Sequence, residues 1–357
     1  MKKSIELLSP AKDLNIGIAA INHGADAVYI GADNFGARAA ASNSIKDIST
    51  LVNHAHKYNS KVYLTLNTLL YDNEIEAAIK IAFQAYNTGV DALIIQDFGL
   101  IEAGLPPIPI HASTQMHNYS IERIKFLENI GFKRVVLPRE TSLKEIHEIK
   151  KSTNIELEYF IHGALCVCYS GQCYLSSYIG NRSANRGNCA QPCRLPYDVL
   201  DENKNIILTQ KHVLSLKDLR LDNHISTLIK SGINSFKIEG RLKSHSYVVN
   251  IVSHYRKEID RFLSENHEYT KASSGNVEID FIPDPSKSFN RLFTELNFNG
   301  RRGKIANYNS PKSMGFEIGK VIEVGVNYIK ISSNQKINNG DGLCFIDKNE
   351  DISGFVV

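Results

Sequence analysis

The sequence predicts an α/β protein that folds as a (β/α)8 barrel, and three observations lead to this fold class. Four segments repeat one order: a helix-like run, a glycine, a short link and an apolar, β-rich run. Eight apolar runs lie between residues 5 and 239, and helical patterns fill most of the gaps between them, as in a barrel of this kind. A doubly wound open sheet is the alternative, but no G-x-G-x-x-G sequence follows a strand.

The repeated joint is the strongest of these signals. Gly24, Gly89, Gly131 and Gly232 each stand where a helix would end in a left-handed residue, just before an apolar run. This order predicts a helix that ends at the glycine and is followed by a buried parallel strand.

The predicted elements follow from these patterns in chain order. The eight strands are residues 5–8, 27–31, 61–67, 92–96, 108–112, 134–138, 157–162 and 235–239. Helical periodicity is clear over residues 45–58, 74–88, 121–130 and 142–150. The barrel is therefore predicted to occupy residues 1–270.

A long loop, residues 163–197, follows the seventh strand and is rich in Gly, Asn, Ser and Arg. We call it the cysteine loop. In a barrel it would lie at the C-terminal mouth, where active sites are found. Its candidate metal ligands are Cys166, Cys173, Cys189 and Cys193, while Cys168 is predicted to be a spare thiol that points away. Cys344, far along the chain, is predicted to be a core residue.

The spacing of the thiols leaves three alternatives open. Four thiolates on an irregular loop suit a four-iron four-sulfur cluster. Structural zinc is the second alternative, although zinc ribbons usually carry C-x₂-C pairs and this segment has none. Unliganded thiols are the third. Six cysteines in 357 residues are too few for a disulfide scaffold.

Polar residues follow most of the predicted strands and should meet at the mouth. The candidate catalytic residues are His111, His162, Glu140 and Glu239; the candidate substrate-binding residues are Arg139, Arg241, Gln115 and Asn67. Histidine transfers protons near neutral pH, and arginine binds carboxylates or phosphates through two parallel hydrogen bonds. The set predicts a site for a small anionic molecule, although each Arg–Glu neighbour pair could instead be a structural ion pair.

Composition is that of an ordinary globular protein: 43% hydrophobic, 22% charged, and a formal net charge of +3. This mild excess permits a nucleic-acid partner without arguing for one. Two basic groups could contact phosphates: Arg182, Arg186 and Arg194 in the cysteine loop, and Arg301, Arg302 and Lys304 beyond the barrel. No apolar run approaches a membrane span and the N-terminus lacks the apolar stretch of a signal peptide, so a cytoplasmic location with no membrane partner is expected.

The character of the chain changes after the barrel. Residues 271–275 read as a linker, and 275–357 as a small β-barrel domain with Asn-Gly and Asp-Gly turns. The chain stops inside a predicted strand, at Phe355-Val356-Val357, which suggests an incomplete domain.

Several motifs together resemble family 32 of the unknown-mechanism (U) peptidases, the collagenase-like proteases. They are ELLSPAKD at the start, HASTQ (111–115), LPRE (137–140), EYFIHGALC (158–166), SGQC (170–173), NRGNCAQPCR (185–194) and KIEGRLKS (237–244). The resemblance covers essentially the whole predicted barrel and is closest to the branch that hydroxylates a ribosomal RNA cytidine.

The resemblance implies a barrel with an iron–sulfur cluster and a role in oxygen-independent or prephenate-dependent hydroxylation. The implied substrates are a 23S ribosomal RNA cytidine, the wobble uridine of transfer RNA or, in sister proteins, ubiquinone precursors. A peptidase, as the family name states, is the alternative, but neither H-E-x-x-H nor G-x-S-x-G occurs. A zinc-stapled RNA-binding protein is the second alternative.

Overall fold

A computed structural model describes residues 2–37, 43–300, 303–347 and 352–357. The strands are β1 (Lys3–Pro10), β2 (Ala27–Gly31), β3 (Lys61–Leu66), β4 (Ala92–Ile95), β5 (Ile110–Ala112), β6 (Arg134–Val136), β7 (Glu156–Gly163), β8 (Tyr197–Leu200), β9 (Ile206–Lys211), β10 (Asp218–Arg220), β11 (Ser235–Ile238), β12 (Tyr269–Lys271), β13 (Phe293–Thr294), β14 (Gly319–Val324), β15 (Ile329–Ser333), β16 (Gly342–Ile346) and β17 (Ile352–Val356). The α-helices are α1 (Leu14–Asn22), α2 (Ile45–His56), α3 (Asp72–Asn87), α4 (Gly99–Glu102), α5 (Ile121–Asn129), α6 (Leu143–Ser152), α7 (Leu175–Gly180), α8 (Ile225–Lys230) and α9 (His245–Glu265).

Eight parallel strands close into a barrel. Strands β1 to β7 pair in chain order, and β11 pairs with both β7 and β1. Because β11 joins the two ends of the sheet, the open-sheet alternative is excluded and the predicted (β/α)8 barrel is confirmed. Each of the eight predicted strands is present, and α2, α3, α5 and α6 lie where helical periodicity indicated them.

The predicted glycine joints are also confirmed. Gly24, Gly89, Gly131 and Gly232 have φ values of 102°, 85°, 98° and 93°. A left-handed residue is strained for any side chain with a Cβ atom, so glycine ends each helix at low cost.

The barrel separates two apolar cores. One packs helices against the outer faces of the strands and includes Leu7, Val28, Val62 and Leu93. The other contains the alternate residues of the same strands, which face the barrel interior because successive side chains point to opposite sides of a sheet. Its members are Leu8, Ala27, Tyr29, Tyr63, Ala92 and Ile94.

A layer of charged side chains completes the interior; we call it the buried charge layer. It contains Glu6 of β1, Arg134 of β6, Glu158 of β7 and Lys237 of β11, all nearly inaccessible to solvent. The Arg134 guanidinium pairs with Glu6 and lies 3.3 Å from a Glu158 oxygen, while Lys237 Nζ lies 2.6 Å from the other Glu158 oxygen. Each buried charge therefore has an opposite charge beside it, which buried ions require.

The segment that follows the barrel stays in contact with it. Residues 271–275 are not a free linker: β12 pairs with β1, and Ser273 Oγ donates a hydrogen bond of 2.6 Å to Asp26. The following segment also packs on the barrel, since β13 pairs with β10 and Phe298 is buried. Strand pairing and apolar contacts therefore hold this segment to the barrel, and the domain boundary at residue 275 stays a prediction.

Beyond it lie two antiparallel hairpins, β14–β15 and β16–β17, whose strands partly support the predicted small β domain. Most of their side chains are exposed, including Cys344, so the prediction of a core cysteine is wrong. Arg301 and Arg302 lie outside the described residues, and Lys304 is exposed. In the part of the chain that the structure covers, no helix has the length and apolar character needed to cross a membrane.

Candidate active site at the barrel mouth

The cysteine loop leaves the barrel at Gly163, the last residue of β7. Gly163 has φ 105°, and a Cβ atom there would lie 2.5 Å from the carbonyl oxygen of Glu239. Only glycine lets the chain pass this close to the end of β11. The loop consequently begins at the C-terminal mouth, as predicted.

One side of the loop is fastened to the ends of β5 and β6. The Glu140 carboxylate accepts hydrogen bonds from the backbone N–H and the hydroxyl of Ser170, at 2.8 and 3.1 Å. The Ser170 carbonyl lies 3.1 Å from His117 Nδ1. At the next residue, a Cβ on Gly171 (φ 75°) would lie 2.0 Å from the Gln115 carbonyl oxygen, so the two backbones are in direct contact.

The other side is fastened to the start of α3 by Arg186. Its guanidinium pairs with both oxygens of Glu74, at 2.7 and 2.9 Å, and donates to the Leu69 carbonyl. The ring of Tyr71 lies 3.9 Å from it. Because the loop is held at β3–α3 and at β5–β6, it extends across the mouth.

The remaining loop arginines also bond to backbone. Arg194 donates to the carbonyls of Leu165 and Leu216, at 2.7 and 2.6 Å, which ties the start of the loop to the chain beyond it. Arg182 is exposed and donates to the Asn188 carbonyl. The phosphate contacts predicted for this group thus compete with structural hydrogen bonds at Arg186 and Arg194.

The thiols of the loop are free and close enough to affect one another electrostatically. Burial raises the pKa of Cys193; Arg194 lowers it, and the thiols of Cys166, Cys189 and Cys173 raise it further. Cys189 Sγ accepts hydrogen bonds from Gln191 N at 3.3 Å and from Ser176 Oγ at 3.8 Å. These two donors, both from the loop itself, hold the Cys189 sulfur in place.

The position of Cys168 contradicts its predicted role as a thiol that points away. Burial and a hydrogen bond with Cys173 raise the pKa of Cys168 to about 11. The thiols of Cys166 and Cys193 add to this rise, so Cys168 lies beside the other thiols of the loop. The loop thus gathers five thiols.

The chemistry of this donor set suits either a four-iron four-sulfur cluster or a zinc ion, because thiolates bind both. Among the residues with described positions, no three His, Cys, Asp or Glu side chains are placed to hold one metal ion. A four-iron cluster is bound by thiolates around a cube instead of around one ion.

Two arginines cross the rim of the mouth. Arg139 pairs with Glu239 at 2.7 Å, with the two side chains 10% and 15% exposed, and its guanidinium lies 3.9 Å from the centre of the Phe160 ring. Arg241 is buried and donates a hydrogen bond of 2.6 Å to the Thr65 hydroxyl. Both planar groups are therefore held in fixed orientations at the barrel opening.

Amide and hydroxyl groups line the side of the barrel mouth opposite these two arginines. Asn67 accepts a hydrogen bond from Ala37 N at 3.0 Å and donates to Ser113 Oγ at 3.2 Å. Gln96 donates to the Gln115 carbonyl at 3.2 Å. The predicted binding residues of β3 and β5 thus adjoin one another, and the cysteine loop packs directly against Gln115.

The two histidines do not face the mouth. His111 lies inside the barrel with its ring 4.8 Å from that of Tyr63, and burial together with Arg134 and Lys237 holds its pKa well below the usual value. His162 is buried against Tyr247 and Tyr255 of α9. Burial, with Arg220 and His254 nearby, lowers the pKa of His162 to about 3. Both rings are neutral near pH 7, which disfavours the predicted proton transfer.

Lys243 is a residue at the mouth that the sequence reasoning missed. It follows β11 within the KIEGRLKS motif, and its ammonium lies 3.1 Å from the centre of the Phe289 ring. Burial lowers the pKa of Lys243 to about 8, with Arg291 contributing. Its position two residues after Arg241, in the same motif, is the sequence feature that could have indicated a residue of the mouth.

The fold and the site define a class of protein: a (β/α)8 barrel whose mouth carries a loop of free thiols beside fixed arginines. The chain belongs to peptidase family U32, whose model matches residues 12–308. This membership confirms the resemblance drawn from the motifs.

Three curated relatives show how the family is named. The chain is 48% identical to the 23S rRNA 5-hydroxycytidine C2501 synthase of Escherichia coli, over 98% of this chain and 54% of that protein. It is 36% identical to an uncharacterized protease of Methanocaldococcus jannaschii, over 98% of this chain and 88% of that one. It is also 36% identical to the tRNA hydroxylation protein P1 of Bacillus subtilis, over 84% and 72% of the two chains. The chain spans about half the length of the first relative.

Proposed function

We propose that this chain is the barrel part of an enzyme that hydroxylates a base in RNA, with ribosomal RNA cytidine as the first candidate and the transfer RNA wobble uridine as the second. The observation that carries the proposal is the 48% identity, over nearly the whole chain, to the 23S rRNA 5-hydroxycytidine synthase. The relationship to a tRNA hydroxylation protein supports the same class of reaction.

The proposed cofactor is a four-iron four-sulfur cluster, with Cys166, Cys173, Cys189 and Cys193 as its ligands. When bound, such a cluster supplies one-electron chemistry. The protein contributes a loop that is fastened by Glu140 and Arg186, so the thiols are held over the mouth. Cys168, hydrogen-bonded to Cys173, is a fifth thiol that could replace a ligand.

The proposed small-molecule partner is an anion, with prephenate, a dicarboxylate, as the first candidate. Arg139 and Arg241 are the proposed carboxylate-binding residues, because each presents a planar guanidinium held in place by a neighbour. Asn67 and Gln115 would add hydrogen bonds from the opposite side. The proposed acid–base groups are Glu140 and Glu239, since both histidines are neutral; Glu140 accepts from Ser170 and Glu239 pairs with Arg139.

The cofactor is tested on protein purified and reconstituted without oxygen. We expect a broad charge-transfer absorption at the blue end of the visible range, with about four irons per chain. Cys193→Ala should lose most of the iron, while Cys344→Ala, an exposed thiol on the distant hairpin, should keep it. Colourless protein with one zinc per chain would instead support the zinc alternative.

The reaction is tested in a bacterium that lacks its own 23S rRNA hydroxycytidine synthase. Expression of this chain should restore 5-hydroxycytidine, measured by mass spectrometry of ribosomal RNA nucleosides. The Cys193→Ala variant should not restore it. Hydroxylation of tRNA uridine alone would favour the second substrate, and restoration of neither modification would count against the proposal for this chain.

The peptidase alternative is favoured by names alone: that of the family and those of relatives such as the uncharacterized protease of Methanocaldococcus jannaschii. A cysteine peptidase would need a histidine beside a thiol. His162, the candidate nearest in sequence to Cys166, has its Nδ1 3.3 Å from the Tyr255 hydroxyl, beneath α9. Cleavage of gelatin that a single point substitution abolishes would restore this alternative.

A further inference from the structure

The surface around the cysteine loop exposes an unusual number of tyrosines. Tyr169, Tyr174 and Tyr178 of the loop are 61%, 62% and 88% exposed, and Tyr119, after β5, is 50% exposed. Large apolar groups gathered on a surface usually mark a binding site. None of these residues has a part in the mouth described above.

Two of these tyrosines, Tyr119 and Tyr169, form an array of three rings with His117. The His117 ring lies 5.8 Å from that of Tyr119, nearly parallel at 19°, and 5.9 Å from that of Tyr169, at a steep 69°. His117 has a left-handed backbone with φ 55°, and its Nδ1 bonds to the Ser170 carbonyl. The central ring is therefore held in place while the outer two keep much of their area open to solvent.

The array lies beside the thiols. Tyr169 directly follows Cys168, and Tyr174 directly follows Cys173, the two cysteines that share a hydrogen bond. Tyr174 and Tyr178 are four residues apart at the start of α7, so they lie on one side of that helix.

The charge of the loop suits a polyanion. Residues 163–197 contain three arginines and no aspartate or glutamate. Arg182 is exposed, whereas Arg186 pairs with Glu74 and Arg194 donates to backbone carbonyls. Arg182 is therefore the loop cation open to a phosphate, and no acidic side chain of the loop opposes it.

We infer that Tyr119, Tyr169 and Tyr178 bind single-stranded RNA by stacking on its bases. Unpaired bases stack on exposed aromatic rings irrespective of sequence, and basic surface attracts the phosphates. A base must leave its stack before an enzyme can modify it, and its neighbours then need another stacking partner. This inference rests on the proposed RNA substrate and adds which RNA form is bound, and where.

The test is fluorescence anisotropy with a labelled single-stranded 12-nucleotide RNA and with the same RNA as a duplex, using iron-reconstituted full chain. Wild type should prefer the single strand. Tyr169→Ala and Tyr178→Ala should each weaken single-strand binding at least fivefold, because one stacked base is lost. Tyr169→Phe, which keeps the ring, should bind like wild type.

Two further variants serve as controls for the RNA-binding measurement. Tyr119→Ala lies outside the cysteine loop and should weaken binding similarly without loss of iron, which separates stacking from damage to the thiol site. Tyr86→Ala, on the outer side of α3 and 41% exposed, is the matched control and should bind like wild type.

Three outcomes would overturn the inference. If wild type binds and all three alanine variants bind equally well, the tyrosines do not contact RNA, although the proposed reaction survives. If wild type binds no RNA, both this inference and the RNA substrate of this chain fail. If Tyr169→Ala changes the oligomeric state in size-exclusion chromatography but leaves RNA binding intact, the surface joins copies of the chain.

Discussion

The lower and upper parts of the barrel interior use charge in different ways. In the buried charge layer, Glu6, Arg134, Glu158 and Lys237 pair with one another out of contact with solvent. At the mouth, Arg139 pairs with Glu239 while both side chains remain partly exposed. The comparison shows that charge in the lower layer serves the fold, whereas the rim pair stays accessible to a competing anion.

The largest expected effect comes from breaking the lower layer. Arg134→Met would leave Glu6 and Glu158 buried with one cation between them, so we expect a loss of about 3–5 kcal/mol in the free energy of unfolding. Urea denaturation measures it. Arg261→Met, at an exposed position on α9, should change stability by less than about 0.5 kcal/mol. A similarly small loss in Arg134→Met would contradict the distinction between the two layers.

The pH dependence of stability tests whether His162 belongs to the closed interior. Its pKa is about 3 in the folded protein, below the unfolded value of about 6.5. Between these values the unfolded chain binds more protons, so stability falls as the pH drops from 6.5 towards 3.

His162→Gln should reduce this acid-dependent loss by an amount on the order of a few kcal/mol. Part of the acid-dependent loss of stability should remain in this variant, because His111 is also buried. The measurement is urea unfolding of both proteins at pH 7, 5.5 and 4.5. Identical slopes would place His162 in contact with solvent.

The docking of the cysteine loop is tested at Gly171. Gly171→Ala requires a left-handed alanine and collides with the Gln115 carbonyl, so the loop should detach locally at a cost of about 1–3 kcal/mol. We expect amide hydrogen exchange in residues 164–190 to accelerate at least tenfold. Gly180→Ala, where the added Cβ meets no neighbour, should exchange like wild type; equal rates in both variants would mean that this contact does not hold the loop.

The smallest expected effect concerns the rim. Arg139→Lys keeps the charge but loses the planar group that rests on Phe160, so prephenate binding should weaken about tenfold. Arg241→Lys should behave alike, and neither variant should lose iron. Calorimetry on reconstituted protein gives the affinities. Unchanged binding would make both arginines structural residues, like Arg134.

Much of the fold could be predicted from the sequence, because the patterns that indicate strands and helix ends span only a few neighbouring residues. A strand buried on both faces needs an apolar run, and a helix that turns back needs a left-handed stop, as at Gly24 and Gly232. The thiol-rich loop could be placed at the mouth because it follows the seventh strand. The hydrogen bonds of Ser170 and Arg186 that hold it there join residues 30 and 112 positions apart, and no local pattern indicates them.

The sequence by itself determined the barrel, its strand order and the thiol set, since apolar periodicity and residue type act over a few neighbours. Only the tertiary structure decided where each polar side chain points. His111 and His162 both follow the pattern of strand-end residues, yet one enters the barrel interior and the other lies beneath α9. Residues 271–275 have the composition of a linker, yet Lys271 pairs with β1 and Ser273 bonds to the buried Asp26. Side-chain direction and burial depend on register and on partners distant in sequence, and these exist only once the barrel has closed.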